Sequence, residues 1–196
     1  MFIVPRSTGV AFLAETITLT GDKLSNRPRL QPLRVPAETR LMAVVRIESR
    51  KPHQVPAAQV AGEVLRAMEW PRVRALQIDY DAPLSERGFY RTLLTEIRHR
   101  LPPAVPLEMT ALISWCTGDD WLRGLPVVDA VPMFFRMGAD QHAVTEQLHE
   151  PLCQSSIGIF TDEYFREIPK HRRLFVFHPR VWTEADYRAI LREQIK

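Results

Sequence analysis

The sequence has only two cysteines, Cys116 and Cys153, and no CxxC pair. Two cysteines cannot build a disulfide framework, and without a CxxC there is no local metal or thiol-exchange motif. Glycine is scarce, at 8 residues against 16 prolines, which points to stiff connections rather than loose linkers. No apolar run approaches the roughly 18 residues that a membrane span needs. Met1 to Arg6 has no apolar stretch of signal-peptide length, so the chain as written reads as cytoplasmic. It would read as exported if a signal preceded it. The single asparagine, Asn26, is followed by Arg27-Pro28, which leaves no glycosylation acceptor. GxSxG, HExxH and phosphate-loop motifs are missing. A net charge of +3 is too small for a typical nucleic-acid binder.

What remains is ordinary globular material, with 45% hydrophobic and 25% charged residues. A chain of 196 residues fits a single domain, 1–196. Val10 to Thr20 reads as a strand ending at the Gly21-Asp22 turn, and Arg29 to Val35 as a proline-marked return strand, together a hairpin arm. Strands are expected at Leu41–Glu48, Val73–Asp81, Leu107–Cys116, Asp129–Met137, Ser155–Thr161 and Arg173–Phe177. Helical stripes fall on Ala57–Trp70 (Val60, Val64, Leu65, Met68), on Ser85–Leu101 (Phe89, Leu93, Ile97) and after Thr183, which has Asp186 three residues on. Ala139–Glu150 reads as a shorter helix.

Strands alternating with crossovers imply an α/β fold with a mainly parallel sheet. No glycine fingerprint follows the first strand, so the expected architecture is an incomplete (β/α) TIM-type barrel. It has seven mainly parallel strands plus the arm, one strand–helix unit short of closure. The open edge is expected to be covered by the arm or by a second copy of the chain.

Strand side chains alternate between faces. Leu76, Ile78 and Tyr80 should lie under helices, leaving Gln77, Asp79 and Asp81 inside. Arg46 and Glu48 should oppose Val45 and Ile47, Glu15 should oppose Phe12 and Ala14, and Arg136 and Phe134 should oppose Met133 and Phe135. Glu15, Arg46, Glu48, Asp79, Asp81, Arg136 and Asp162 thus gather at or beyond the C-terminal ends of strands, where parallel-sheet enzymes place their chemistry. A structural charge network, with Arg46 and Arg136 neutralising the carboxylates, accounts for the same pattern.

Other patterns are weaker. His142, Glu146 and His149 share a helix face that could present metal ligands, although a solvated face explains them as well. The basic runs Arg98–Arg100 and Arg166–Arg173 read as solubility and helix-end complementation. Trp115 and Trp121 would be sugar-stacking platforms if exposed and core if buried. Cys116 at the end of one strand and Cys153 before another are expected at opposite ends of the sheet, unbonded.

The segments Gly9–Thr20, Arg27–Glu48, Leu76–Asp81, Thr110–Leu122 and Ala130–Gly138 resemble the bacterial family known as domain of unknown function 3142. Thr110–Trp115 with Gly118, Asp119 and Trp121 is the most specific part, and the likeness runs from about Phe2 to Trp182. The resemblance implies a glycoside-hydrolase-like TIM barrel whose usual first, Trp-containing strand is missing here. Asp79-Tyr80-Asp81 also resembles the start of the Asp-x-Asp-x-Glu run of chitinase-like hydrolases, but position 83 is Pro83, so that family's acid does not carry over.

The expected function is a carbohydrate-active barrel, a glycoside hydrolase that takes a poly- or oligosaccharide. Asp81 is the expected general acid and Asp79 its ionised partner. Glu15 and Glu48 are alternative nucleophiles or bases. Arg46, Arg136, Trp115, Trp121 and Asp162 are expected to bind substrate. Neither a cofactor nor a metal is called for, nor a nucleic-acid or membrane partner. The alternative is a degenerate, non-catalytic barrel that binds a glycan or a protein.

Overall fold

In a computed structural model, residues 2–135, 148–163 and 171–194 are described. The fold is mixed α/β. Strands β1 (Val10–Gly21), β2 (Lys23–Pro28), β3 (Leu41–His53), β4 (Val73–Asp79), β5 (Leu107–Ala111) and β6 (Asp129–Pro132) form one sheet in the order β2-β1-β3-β4-β5-β6. β7 (Ser156–Phe160) and β8 (Arg173–Phe177) form a parallel pair. A single parallel bridge from Met133 to Gly158 links the pair to the end of β6. All pairings are parallel except β1 with β2. The seven parallel strands therefore follow one another in chain order, as the alternating pattern implies, and among the described residues the sheet does not close.

The hairpin is tighter than the sequence suggests. Gly21, at φ +60°, supplies the left-handed residue that a two-residue turn needs. β2 therefore returns at once as Lys23–Pro28, and Arg29–Val35 is not a strand. β2 lines the outer edge of β1, and Lys23, Arg27 and Pro28 are features that discourage further pairing at an edge.

Helices α1 (Ala57–Leu65) and α2 (Arg87–Arg100) pack on each other and on one face of the sheet. Val60 and Val64 of α1 and Leu93, Leu94 and Ile97 of α2 are fully buried there with Val45, Leu76 and Ile78. Helix α4 (Glu184–Gln194) opens with reciprocal bonds between Thr183 and Asp186, the capping box that its sequence announces. Its Tyr187 hydroxyl accepts a bond from the Val4 amide at 3.1 Å and lies 2.8 Å from Thr8 Oγ1, clasping the N-terminal segment.

The other face carries polar residues, and the sheet curls around it. Arg173 on β8 meets Asp129 on β6 at 2.7 Å and Glu108 on β5 at 2.8 Å. In a flat sheet, three strand spacings would separate β8 from β5 by about 14 Å, beyond the combined reach of the two side chains. At Gly158 the pair packs closely on the end of β6, where a Cβ would meet Met133 Sδ at 2.7 Å. Ser156 also donates to Asp129. The group sits at the N-terminal ends of its strands, where a role in stability rather than chemistry is the usual reading.

Replacing Arg173 by Met should cost about 2–4 kcal/mol at neutral pH. It would strand two buried carboxylates, discounted because Arg173 itself is half exposed. Burial already pushes Glu108 above the usual carboxylate range, so the loss should shrink as the pH falls and Glu108 takes up its proton. Melting curves at two pH values check this.

The cysteines correct the sequence reading. Cys116 and Cys153 are bonded, with Cα atoms 5.8 Å apart. β5 stops at Ala111 and does not run on to Cys116. The chain folds back as α3 (Ile113–Thr117), which rises about 1.5 Å per residue instead of a strand's 3.3 Å. Cys116 therefore never reaches the far end of the sheet. Its carbonyl accepts from the His149 and Glu150 amides, which draws the Cys153 turn alongside.

Candidate functional site

At the C-terminal ends of β4 and β5, level with the middle of β3, the parallel register sets three side chains abreast. Arg46 is the register partner of Asp79, and Thr110 Oγ1 donates to Asp79 Oδ1 at 2.9 Å. Burial raises Asp79 above the ordinary aspartate range and outweighs the lowering by the Thr110 bond and Arg46, while Asp81 and Glu48 push the same way as burial. Arg46 pairs with Glu48 at 3.4 Å, and Arg50 reaches the same carboxylate at 3.6 Å. Arg46 therefore acts on Asp79 through its field, not by contact.

Asp81 is exposed and lies past the end of β4. The Ala82 amide bonds back to the Tyr80 carbonyl at 2.9 Å, so the chain turns there and the two-rise strand spacing does not link Asp79 to Asp81. Between them, Tyr80 points to the helix-covered side. Its hydroxyl donates to Glu86, which also accepts from Ser49 Oγ at 2.8 Å. The buried His53 ring lies 3.8 Å from the same carboxylate. Glu86 opens onto α2 and is not a substitute for the acid missing at Pro83; it ties down the residue between the two aspartates. Position alone did not reveal this role, because a glutamate just before a helix is unremarkable.

Several expected site residues lie elsewhere. A bulge at Ala14 shifts the β1–β3 register and makes Glu15 the partner of Val45, not of Arg46. Glu15 therefore faces α1 and takes no part in the Asp79 group. Trp115 is buried and Trp121 partly so, and they meet edge to face at 4.8 Å on the helix-covered side. Arg87 lies over both rings and pairs with Asp119 at 2.7 Å. Trp115 packs in the core because α3 turns it away from the strand line, and Trp121 meets it from the turn Asp120–Leu122. Asp162 is exposed just past β7 and accepts a bond from Thr161. Arg136, His142 and Glu146 lie outside the described residues.

An aromatic wall that the sequence did not assign stands on the polar face. Phe135, Phe160 and Phe177 meet with ring centroids 5.5 Å apart in two pairs, and all three are partly exposed. Register explains the placement: Met133 follows Asp129 and Val131 on one face, so Phe135 shares it, while Phe134 is fully buried on the other. This reverses the expected parity. β6 stands two strand spacings, about 10 Å, from β4, and the wall runs from the end of β6 onto β7 and β8.

Among the described residues, no group of three or more His, Cys, Asp or Glu side chains is placed to hold a metal ion. No helix among them is long and apolar enough to cross a membrane. No protein-family model, curated protein or solved structure matches the chain.

Proposed function

We propose that the C-terminal strand ends form a carbohydrate-active site of glycoside-hydrolase type, on an incomplete (β/α) barrel of the kind that the family resemblance implies. The observation that carries this reading is Asp79: a desolvated carboxyl, held by Thr110, beside an exposed second carboxylate at Asp81. Glycoside hydrolysis needs one protonated and one ionised carboxyl across the bond. Burial favours Asp79 as proton donor, which leaves the exposed Asp81 as the partner carboxylate, the reverse of the order read from sequence. Glu48, held between Arg46 and Arg50, is the alternative base. The Phe135, Phe160 and Phe177 wall supplies the stacking surface once assigned to the tryptophans.

The chemistry divides accordingly. Asp79 gives its proton to the glycosidic oxygen as the bond to the anomeric carbon breaks. Asp81 stabilises the positive charge that develops there, or activates the water that replaces the leaving group. The Cys116–Cys153 bond supports an oxidising compartment, hence the exported alternative for localisation.

The test is a panel of oligosaccharides followed by proton NMR of anomeric signals. Release of new reducing ends in one anomeric form is expected. Saturable binding without cleavage would move the reading to the non-catalytic alternative. Neither binding nor cleavage across neutral, acidic and amino glycans would overturn it.

A further inference from the structure

On the helix-covered side, away from Asp79, the Ala14 bulge leaves a carboxylate in an unusual position. Glu15 is 5% exposed. Its Oε2 accepts from Asn26 Nδ2 at 2.6 Å, and the same nitrogen donates to Glu63 Oε1 at 2.6 Å. One amide therefore bridges two carboxylates, on β1 and α1. Glu15 Oε1 and Asn26 Oδ1 have no hydrogen-bond partner. Buried acceptors without donors are costly, and native structures rarely leave them so.

These residues line an open cleft of about 460 Å³, within the usual range for small-ligand sites. Glu69, Arg66, Pro28 and Trp70 complete its walls. Three carboxylates face a single guanidinium, and that guanidinium is already committed to Glu63 at 3.0 Å. Every unsatisfied group is an acceptor, and the excess charge is negative. The ligand must therefore bring donors and positive charge. Trp70, edge-on to Phe12 at 5.2 Å, offers an aromatic wall suited to a cation.

We propose that the cleft between β1, β2 and α1 is a second binding site, for the ammonium group of a small aliphatic amine. The ammonium has three donors, enough to serve Glu15, Glu63 and the Asn26 carbonyl after a small rotation of the amide. A bridging cation also relieves the repulsion between the two carboxylates. Pro28 and Pro71 in the lining add apolar surface for the methylene chain.

Calorimetry on the full chain tests this with 1,4-diaminobutane against butane-1,4-diol, the neutral analogue of similar length. The diamine should bind and the diol should not. Glu63→Gln, on a partly exposed helix position, should weaken diamine binding by at least about tenfold, the worth of one charge-assisted hydrogen bond. Glu15→Gln should do the same, with its melting curve recorded to show that it folds. Arg66→Gln, which removes the competing cation, should strengthen binding. Nα-acetyl-lysine methylamide tests a lysine side chain as the source of the ammonium, and binding of either amine supports the site. No binding of either amine at millimolar concentration, equal binding of the diol, or affinity unchanged in both glutamate variants would overturn the proposal.

Discussion

Replacing both Cys116 and Cys153 by Ser should lower the stability of the protein by about 4 kcal/mol. The bond closes a loop with a sequence separation of 37, and the chain-entropy relation for a loop of that size gives about this value. For a chain of this length the melting temperature should fall by about 8–16 °C. Both sulfurs are buried, Cys116 at 1% and Cys153 at 0% exposure, so polar hydroxyls left in their place add to the loss. Reducing agent should act slowly on the folded wild type, because attack needs access to a sulfur. Melting curves of oxidised, reduced and doubly substituted protein check this. Identical curves for all three would show that the bond carries no stability.

The largest effect on turnover is expected at Asp79. Under the proposed hydrolase reading, Asp79→Asn should reduce glycan hydrolysis by about 100- to 10,000-fold, the usual worth of a general acid. The amide still accepts from Thr110, so the local bond survives. Stability should move the other way or not at all. A carboxyl whose folded pKa is raised above its unfolded value holds its proton more tightly when folded. The folded state is therefore penalised as pH rises from the ordinary aspartate range through the raised value, and the penalty is complete above it. Removing the charge removes the penalty. Activity limited by the protonated acid should likewise decline as pH rises through the same value. A purely structural Asp79 predicts a lower melting temperature in the variant, and the comparison of rate with melting point separates the two.

Much of the architecture was legible in the sequence, for a physical reason. Strand alternation and helix stripes are local, and in Leu76-Gln77-Ile78-Asp79 the apolar and polar positions sort cleanly between the helices and the opposite face. The seven parallel strands and the inward Arg46, Glu48 and Asp79 follow from that sorting. Failures occurred where one residue changed the phase. The extra residue at Ala14 turned Glu15 onto the α1 side, and no composition signal marks a bulge in a strand of β-branched residues. Leu107–Cys116 looked like one apolar strand, yet its second half is a helix; a short apolar run does not distinguish the two. That misreading alone misplaced Trp115 and Cys116. Phe134-Phe135 gave no parity signal at all, since both neighbours are equally apolar. Only the long-range contact of Asp129 with Ser156 and Arg173 fixed which ring faces which side.

The clasp between Tyr187 and the N-terminal segment has a kinetic consequence. Its hydrogen bonds join residues 179 and 183 positions apart, whereas each parallel strand pair forms over a much shorter stretch of chain. Contacts of such separation carry a large loop-closure cost until the intervening sheet has already brought their ends together. The clasp thus belongs to the late, downhill side of folding. By the same reasoning it contributes more to slowing unfolding than to speeding assembly, and it latches the segment that leads into β1 to the helix that follows β8.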